Sequence, residues 1–314
     1  MAFEEVTGRD LNWFFNQWYF SSGHPQVDIS YQYNDTTGTA KVIVKQTQKT
    51  KLFTLPMAID IYNGASKTRY NVWVKNAADT FTFSYKTRPD LINVDGDKVM
   101  LWVKKDAKTL DNFIHQYKYA GNYLDRREAI DFAAKNQSDA KAVELLKTAL
   151  NDPYKGLRGY SISKLDLKKD VVKKAVEPVL SELAKSDKAA TVKAAAIDRL
   201  AEFGKAEYKE LFLAAVNDSS YSVAGNALAA LVAIDPEAAA PLVKKFYGTP
   251  IKGALRSVVM NEILKSGDES MADKIIGDFA AMPLSQEKFE ALNGLSTYLS
   301  AIKNIEKIKW GVDE

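Results

Sequence analysis

The sequence predicts a chain of β plus α class, a small antiparallel β-sandwich followed by a long array of paired α-helices. Three observations predict it. Short runs of alternating apolar and polar residues recur between about residues 27 and 104, the period of half-buried strands. From about residue 125 onward, Ala, Leu, Lys and Glu dominate with helical spacing. Within that second half, four windows superpose on one another. A chain of 314 residues is also about twice the usual domain length, so two cores are expected.

The elements follow in order. Asp10 is placed as an N-cap, and Leu11, Phe14, Phe15 and Trp18 share one helix face before Gly23 and Pro25 end the segment. With Trp13, these aromatics form a stripe that must be buried against something, so residues 1–26 read as a helical tail whose partner is another domain. Strand signals come at Val27–Tyr31, Ala40–Val44, Tyr70–Val74, Thr80–Tyr85 and Val99–Val103. Turn signals separate them at Asp35–Gly38, Asn63-Gly64, Arg88-Pro89-Asp90 and Asp95-Gly96-Asp97. About seven short strands over residues 27–104 fit an immunoglobulin-like antiparallel β-sandwich. Residues 105–124 read as a connector, and 125–314 as the helical domain.

The four helical windows are Leu157-Arg158 with Ile162 and Leu165, Val192-Lys193 with Ile197 and Leu200, Val223-Ala224 with Leu228 and Leu231, and Leu255-Arg256 with Met260 and Ile263. A small residue sits four positions after the start of the first three, at Ser161, Ala196 and Ala227, and Asp152, Asp187 and Asp218 precede those starts by five. An amphipathic segment precedes each window, so each unit is a helix pair that buries its apolar face only by stacking on its neighbours. The pattern resembles HEAT-type repeats and predicts a HEAT-like superhelix.

Composition narrows the chemistry. Residues 1–124 carry 15 basic and 12 acidic groups, and the remainder carries 28 of each. That balance offers no cationic stripe for nucleic acid; Lys164, Lys168, Lys169, Lys173 and Lys174 are interrupted by Asp166 and Asp170 and read as a solvated helix face. No stretch has the length and apolarity of a membrane span, and no address is legible near Met1. His24 and His115 are the only histidines, 91 residues apart, so there is no H-E-x-x-H zinc helix, and nucleophile elbows, P-loops and dinucleotide loops are absent. Asp95 and Asp97 flank Gly96 in a turn and are expected to face water. Trp73 and Trp102 read as core rather than as sugar platforms. Catalytic, metal and cofactor-binding residues are therefore assigned to no position. Arg158, Lys193 and Arg256 are the candidate binding residues, either lining a groove that receives a carboxylate or forming a ladder with Asp152, Asp187 and Asp218; the ladder is the favoured reading.

The run Gly8-Arg9-Asp10-Leu11-Asn12-Trp13-Phe14-Phe15-Asn16-Gln17-Trp18 with Gly23-His24-Pro25 resembles the end of the catalytic domain in zinc aminopeptidases of the aminopeptidase N family. Gln46-Thr47-Gln48, Leu55-Pro56-Met57, Arg88-Pro89 and Asp95 follow in the order of that family's β-sandwich. The resemblance implies a non-catalytic C-terminal region, with zinc and the catalytic domain in a parent protein and none of its ligands carried over to this chain. It further implies a helical array capping the active-site chamber, a catalytic-domain partner reached through Trp13, Phe14, Phe15 and Trp18, and peptide substrate at the array's inner face. The alternative is a HEAT-like scaffold for proteins or peptides with no enzymatic parent.

Overall fold

The computed structural model describes residues 2–314, and packing divides the chain into two compact units, Met1–Leu146 and Lys147–Glu314.

The first unit opens with two short helices, α1 (Ala2–Thr7) and α2 (Asn12–Trp18). Seven strands follow: β1 (Gln26–Asn34), β2 (Thr39–Gln46), β3 (Leu55–Asn63), β4 (Ser66–Val74), β5 (Ala78–Ser84), β6 (Leu91–Val94) and β7 (Val103–Asp106). They form a four-stranded sheet in the order β5-β2-β1-β7 and a three-stranded sheet in the order β4-β3-β6. One apolar core joins the sheets. Val27, Ile29, Val42 and Val44 enter it from the first, and Leu55, Ile59, Val74 and Val94 from the second. Gly38 shapes the β1–β2 turn: its φ is +60°, and a Cβ there would stand 2.5 Å from the Tyr85 carbonyl oxygen.

Three strand expectations change. β7 runs parallel to β1, with Gln26 opposite Val103 and Ile29 opposite Asp106, so the first sheet is mixed instead of antiparallel throughout. The reason is topological: the chain leaves the β6 sheet, crosses to the other and reaches β1 already running in its direction. The last strand also begins at Val103, not Val99; Val99–Trp102 belongs to neither sheet, with Met100 and Trp102 packed against the core and Val99 and Leu101 exposed. β3 escapes the alternation test because it is buried on both faces from Met57 to Tyr62, as a central strand covered on both sides must be.

Helix α3 (Leu110–Tyr119) lies within the stretch read as a connector; Thr109 and Asn112 form a reciprocal capping box at its start. Helix α4 (Tyr123–Lys135) packs against it, and both belong to the first unit. Helix α5 (Ala140–Ala149) leads out of that unit.

The second unit holds α6 (Lys155–Lys164), α7 (Asp170–Ser186), α8 (Ala190–Ala201), α9 (Lys209–Ala215), α10 (Tyr221–Ile234), α11 (Pro236–Tyr247), α12 (Gly253–Ser266), α13 (Ala272–Ala280), α14 (Gln286–Ala301) and α15 (Ile305–Asp313). The four windows fall on α6, α8, α10 and α12. Their apolar positions are buried, except that Met260 is half-buried. The small +4 residues Ser161, Ala196 and Ala227 are fully buried, and the second helices α8, α10, α12 and α14 stack closely on one another. Gly225 marks the tightest approach, since a Cβ on it would stand 2.5 Å from the Leu255 backbone nitrogen. A fifth pair, α13–α14, falls outside the offset pattern. If its buried Leu295 and Tyr298 are taken as the +5 and +8 positions, an exposed Glu290 occupies the first. Among the described residues, no helix is long and apolar enough to cross a membrane.

Candidate functional site

The aromatic tail helix is half covered by its own unit. Gln17 is buried, and its side-chain amide both donates to the Thr54 carbonyl (3.0 Å) and accepts from the Thr54 N–H (2.6 Å), satisfying both backbone groups of the residue just ahead of β3. Trp18 packs on Phe53 with ring centroids 5.5 Å apart, and Trp13 meets Trp73 edge-on at the same separation. Trp73 is 41% exposed, so the core position expected for it is not what it occupies, whereas Trp102 does lean on the core. Phe14 and Phe15 are half-buried and contact Tyr19. The most open aromatics of the tail are Phe3, Tyr19 and Phe20.

In the helical unit, the cations named from sequence separate. Arg158, on α6, forks onto Asp187, ahead of α8: Nε to Oδ2 is 2.7 Å and Nη2 to Oδ1 is 2.8 Å. Lys193, at the start of α8, reaches Asp218, ahead of α10, at 3.1 Å. Each aspartate also accepts the N–H two residues on, from Ala189 and Ser220, which turns the chain into the next helix. Burial pushes the Asp187 carboxyl up, but the Arg158 fork and the Ala189 N–H outweigh it and hold the pKa below the usual carboxylate range. Arg256 has no such partner; Glu287 lies 3.9 Å away and both side chains are largely exposed. The ladder therefore exists for two of the three cations.

The two complete rungs are unequal. Arg158 and Asp187 are 15% and 4% exposed, whereas Lys193 and Asp218 are 23% and 21% exposed and share a single bond. Asp187→Ala is expected to cost about 3 kcal/mol, because it strands a forked guanidinium and opens a turn, and Asp218→Ala about 1 kcal/mol. Urea midpoints followed by far-ultraviolet circular dichroism give both values; equal shifts would remove burial as the deciding factor.

Lys193 and Asp218 also line a groove of about 1070 Å³ between α7 and α9. At its other end the Glu177 carboxylate accepts from Lys205 and from the Tyr208 hydroxyl. Burial and the Glu177 bond raise the Tyr208 pKa, so this hydroxyl stays protonated and a donor.

A second polar cluster, which no sequence motif marks, lies inside the first unit. Asp125, on α4, is fully buried and accepts from Asn93 Nδ2 at 2.9 Å and pairs with Lys98 Nζ at 3.0 Å. Lys108 Nζ donates to Gln116 Oε1 (2.8 Å) and to Asn93 Oδ1 (3.2 Å), and pairs with Asp106 at 3.0 Å. Asp106 also accepts the Tyr31 hydroxyl at 2.7 Å, while Lys104 pairs with Glu128 at 2.9 Å. Burial lowers the Lys108 pKa to about 8 despite the attraction of Asp106. Burial pulls the Asp106 carboxyl up, and Lys108 and Lys104 more than offset it, leaving it below the usual range. The cluster fastens α3 and α4 to the strands. Asp95 belongs beside it: contrary to the expectation of a solvated turn residue, it is buried and accepts the N–H groups of Val99 and Met100.

The fit to a metal is poor. His24 is exposed, His115 Nε2 is bonded to the Gly64 carbonyl at 2.9 Å, and among the described residues no group of three or more His, Cys, Asp or Glu is arranged to hold an ion. No step through zinc is derived for these residues.

Residues 176–261 match the family model for HEAT repeats. No match is found among curated proteins. Among solved structures the chain is similar to Legionella pneumophila aminopeptidase A, determined in complex with aspartic acid, with a TM-score of 0.53 and 13% identity. The likeness covers 99% of this chain and 51% of that one, so the chain spans about half the length of that structure. At this identity the likeness carries the fold.

Proposed function

We propose that this chain is the non-catalytic C-terminal region of a zinc aminopeptidase of the aminopeptidase N type, its helical array capping the active-site chamber of a catalytic domain. The observation that carries this reading is the fold likeness, which runs through nearly the whole chain, β unit and array together, and occupies half of an aminopeptidase. The HEAT match and the exposed aromatics Phe3, Tyr19 and Phe20 beside Phe14 and Phe15 support it, since such a patch suits a catalytic-domain partner. The groove between α7 and α9 favours a second reading, a peptide- or protein-binding scaffold with no enzymatic parent.

The purified chain is expected to release no arylamine from aminoacyl-arylamides with zinc added; metal-dependent turnover would overturn the proposal. The message upstream of the Met1 codon is expected to encode an H-E-x-x-H helix followed by a distant Glu. An upstream sequence without them would leave the scaffold reading.

A further inference from the structure

The cation ladder obeys a positional rule. The acceptor stands three residues ahead of each second helix, at Asp187 before α8, Asp218 before α10, Pro250 before α12 and Pro283 before α14. The donor follows the first buried apolar residue of the helix before it, at Arg158, Lys193, Ala224 and Arg256 respectively. Two rungs are complete, and in the third both ends are gone together, with Ala224 facing a proline position. The fourth keeps its cation without an acceptor: Pro283 takes the aspartate's place, and no carboxylate occurs from Ala281 to Ser285.

Arg256 lines a cavity of about 490 Å³ between α12 and α14, within the size range of small-molecule sites. Its walls include Val259, Met260, Leu264, Phe279 and Leu295, and among the described lining residues Arg256 is the only cation. The two carboxylates that also line it are engaged: Asp278 with the Tyr247 hydroxyl (3.2 Å) and Lys274 (3.4 Å), and Glu290 with the Gln286 amide (3.0 Å). The Arg256 guanidinium is 58% exposed and has the fork geometry that its counterpart Arg158 uses on Asp187.

We propose that this cavity binds a carboxylate carried on an apolar body, the carboxylate taking the vacant acceptor position on Arg256 and the body lying against Met260, Leu264 and Phe279. The site stands apart from the aminopeptidase reading and does not depend on it. Two sources share this chemistry, a free aliphatic acid and the apolar C-terminal residue of a peptide; octanoate and N-acetyl-leucine represent them.

Titration calorimetry on the full chain tests the site. At least one of the two acids is expected to bind, the tighter one naming the source, and its amide to bind about tenfold more weakly. Arg256→Gln is expected to weaken the acid about tenfold or more while leaving the melting temperature unchanged, because the side chain is exposed and its one ion pair, to Glu287 at 3.9 Å, is long and solvated. Pro283→Asp, which restores the rung, is expected to weaken the acid comparably by occupying Arg256. The proposal is overturned if neither acid binds at millimolar concentration, or if the acid binds Arg256→Gln as tightly as the natural chain.

Discussion

Asp125→Ala is expected to destabilise the first unit by about 3 kcal/mol, as much as the loss of the Asp187 fork costs in the second. The carboxylate has no exposure and Lys98, its ion partner, is 5% exposed, so its removal leaves an ammonium buried without its counter-charge. The size is held to the lower end of the range for broken buried pairs because Lys98 keeps three oxygen acceptors, Asn93 Oδ1 at 2.8 Å and the carbonyls of Val94 and Asp95 at 3.2 Å. Asn93 loses a partner as well, since its Nδ2 donates to the same carboxylate. Asp111→Ala is the matched control: it removes an ion pair of 2.7 Å whose two side chains are 62% and 71% exposed, and solvent screening leaves it a shift below about 0.5 kcal/mol. Tryptophan fluorescence isolates the relevant transition, because Trp13, Trp18, Trp73 and Trp102 lie in the first unit and Trp310 alone in the second. Equal urea midpoints for Asp125→Ala and Asp111→Ala would show that the cluster does not hold the unit together.

That cluster also shows where sequence reasoning stops. The helix pairs were legible because each must bury one face against its neighbours. That demand writes a fixed spacing into the chain, visible as Val192, Ile197 and Leu200 or Val223, Leu228 and Leu231. The ladder followed from the same register, which brings Arg158 to Asp187. Nothing local announces the union of Asn93, Lys98, Lys108, Gln116 and Asp125. They come from a strand, a turn, a loop and two helices, and Lys and Asp by default read as surface residues. Gln17 carries no signal for the same reason: it stands among aromatics whose pattern predicts apolar burial, yet an amide makes the attachment. β3 was blurred by being buried on both faces, and the parallel β1–β7 pair depends on where a crossing segment lands, which alternation does not encode. The spacing of the tail aromatics predicts one stripe facing another domain. Instead Trp13 and Trp18 lean on their own β unit, and the outward surface is carried more by Phe3, Tyr19 and Phe20.

Stability of the first unit is expected to rise, not fall, as pH increases from about 8 to about 10. Burial lowers the folded-state pKa of Lys108 to about 8, below the ordinary lysine value of about 10.5 in an unfolded chain. Below about pH 8 both states hold the proton and the full penalty of burying the charge is present. Between the two values the unfolded chain binds more protons than the folded one, so stability climbs with pH, by on the order of 3 kcal/mol if this group acted alone. Buried tyrosines then reverse the slope. Burial and the nearby Asp60 raise Tyr62 to about 12, and burial with Asp106 raises Tyr31 well above its ordinary value. Above about pH 10 an unfolded chain releases these phenolic protons while the folded one retains them, and stability declines. A maximum near pH 10 in the urea midpoint of tryptophan fluorescence is therefore expected. Lys108→Met removes the titrating amine while Tyr31 still donates to Asp106, so it is expected to flatten the rise from pH 8 to 10 and to leave the decline above pH 10 in place. A Lys108→Met curve that keeps the full rise would overturn the assignment of this slope to Lys108.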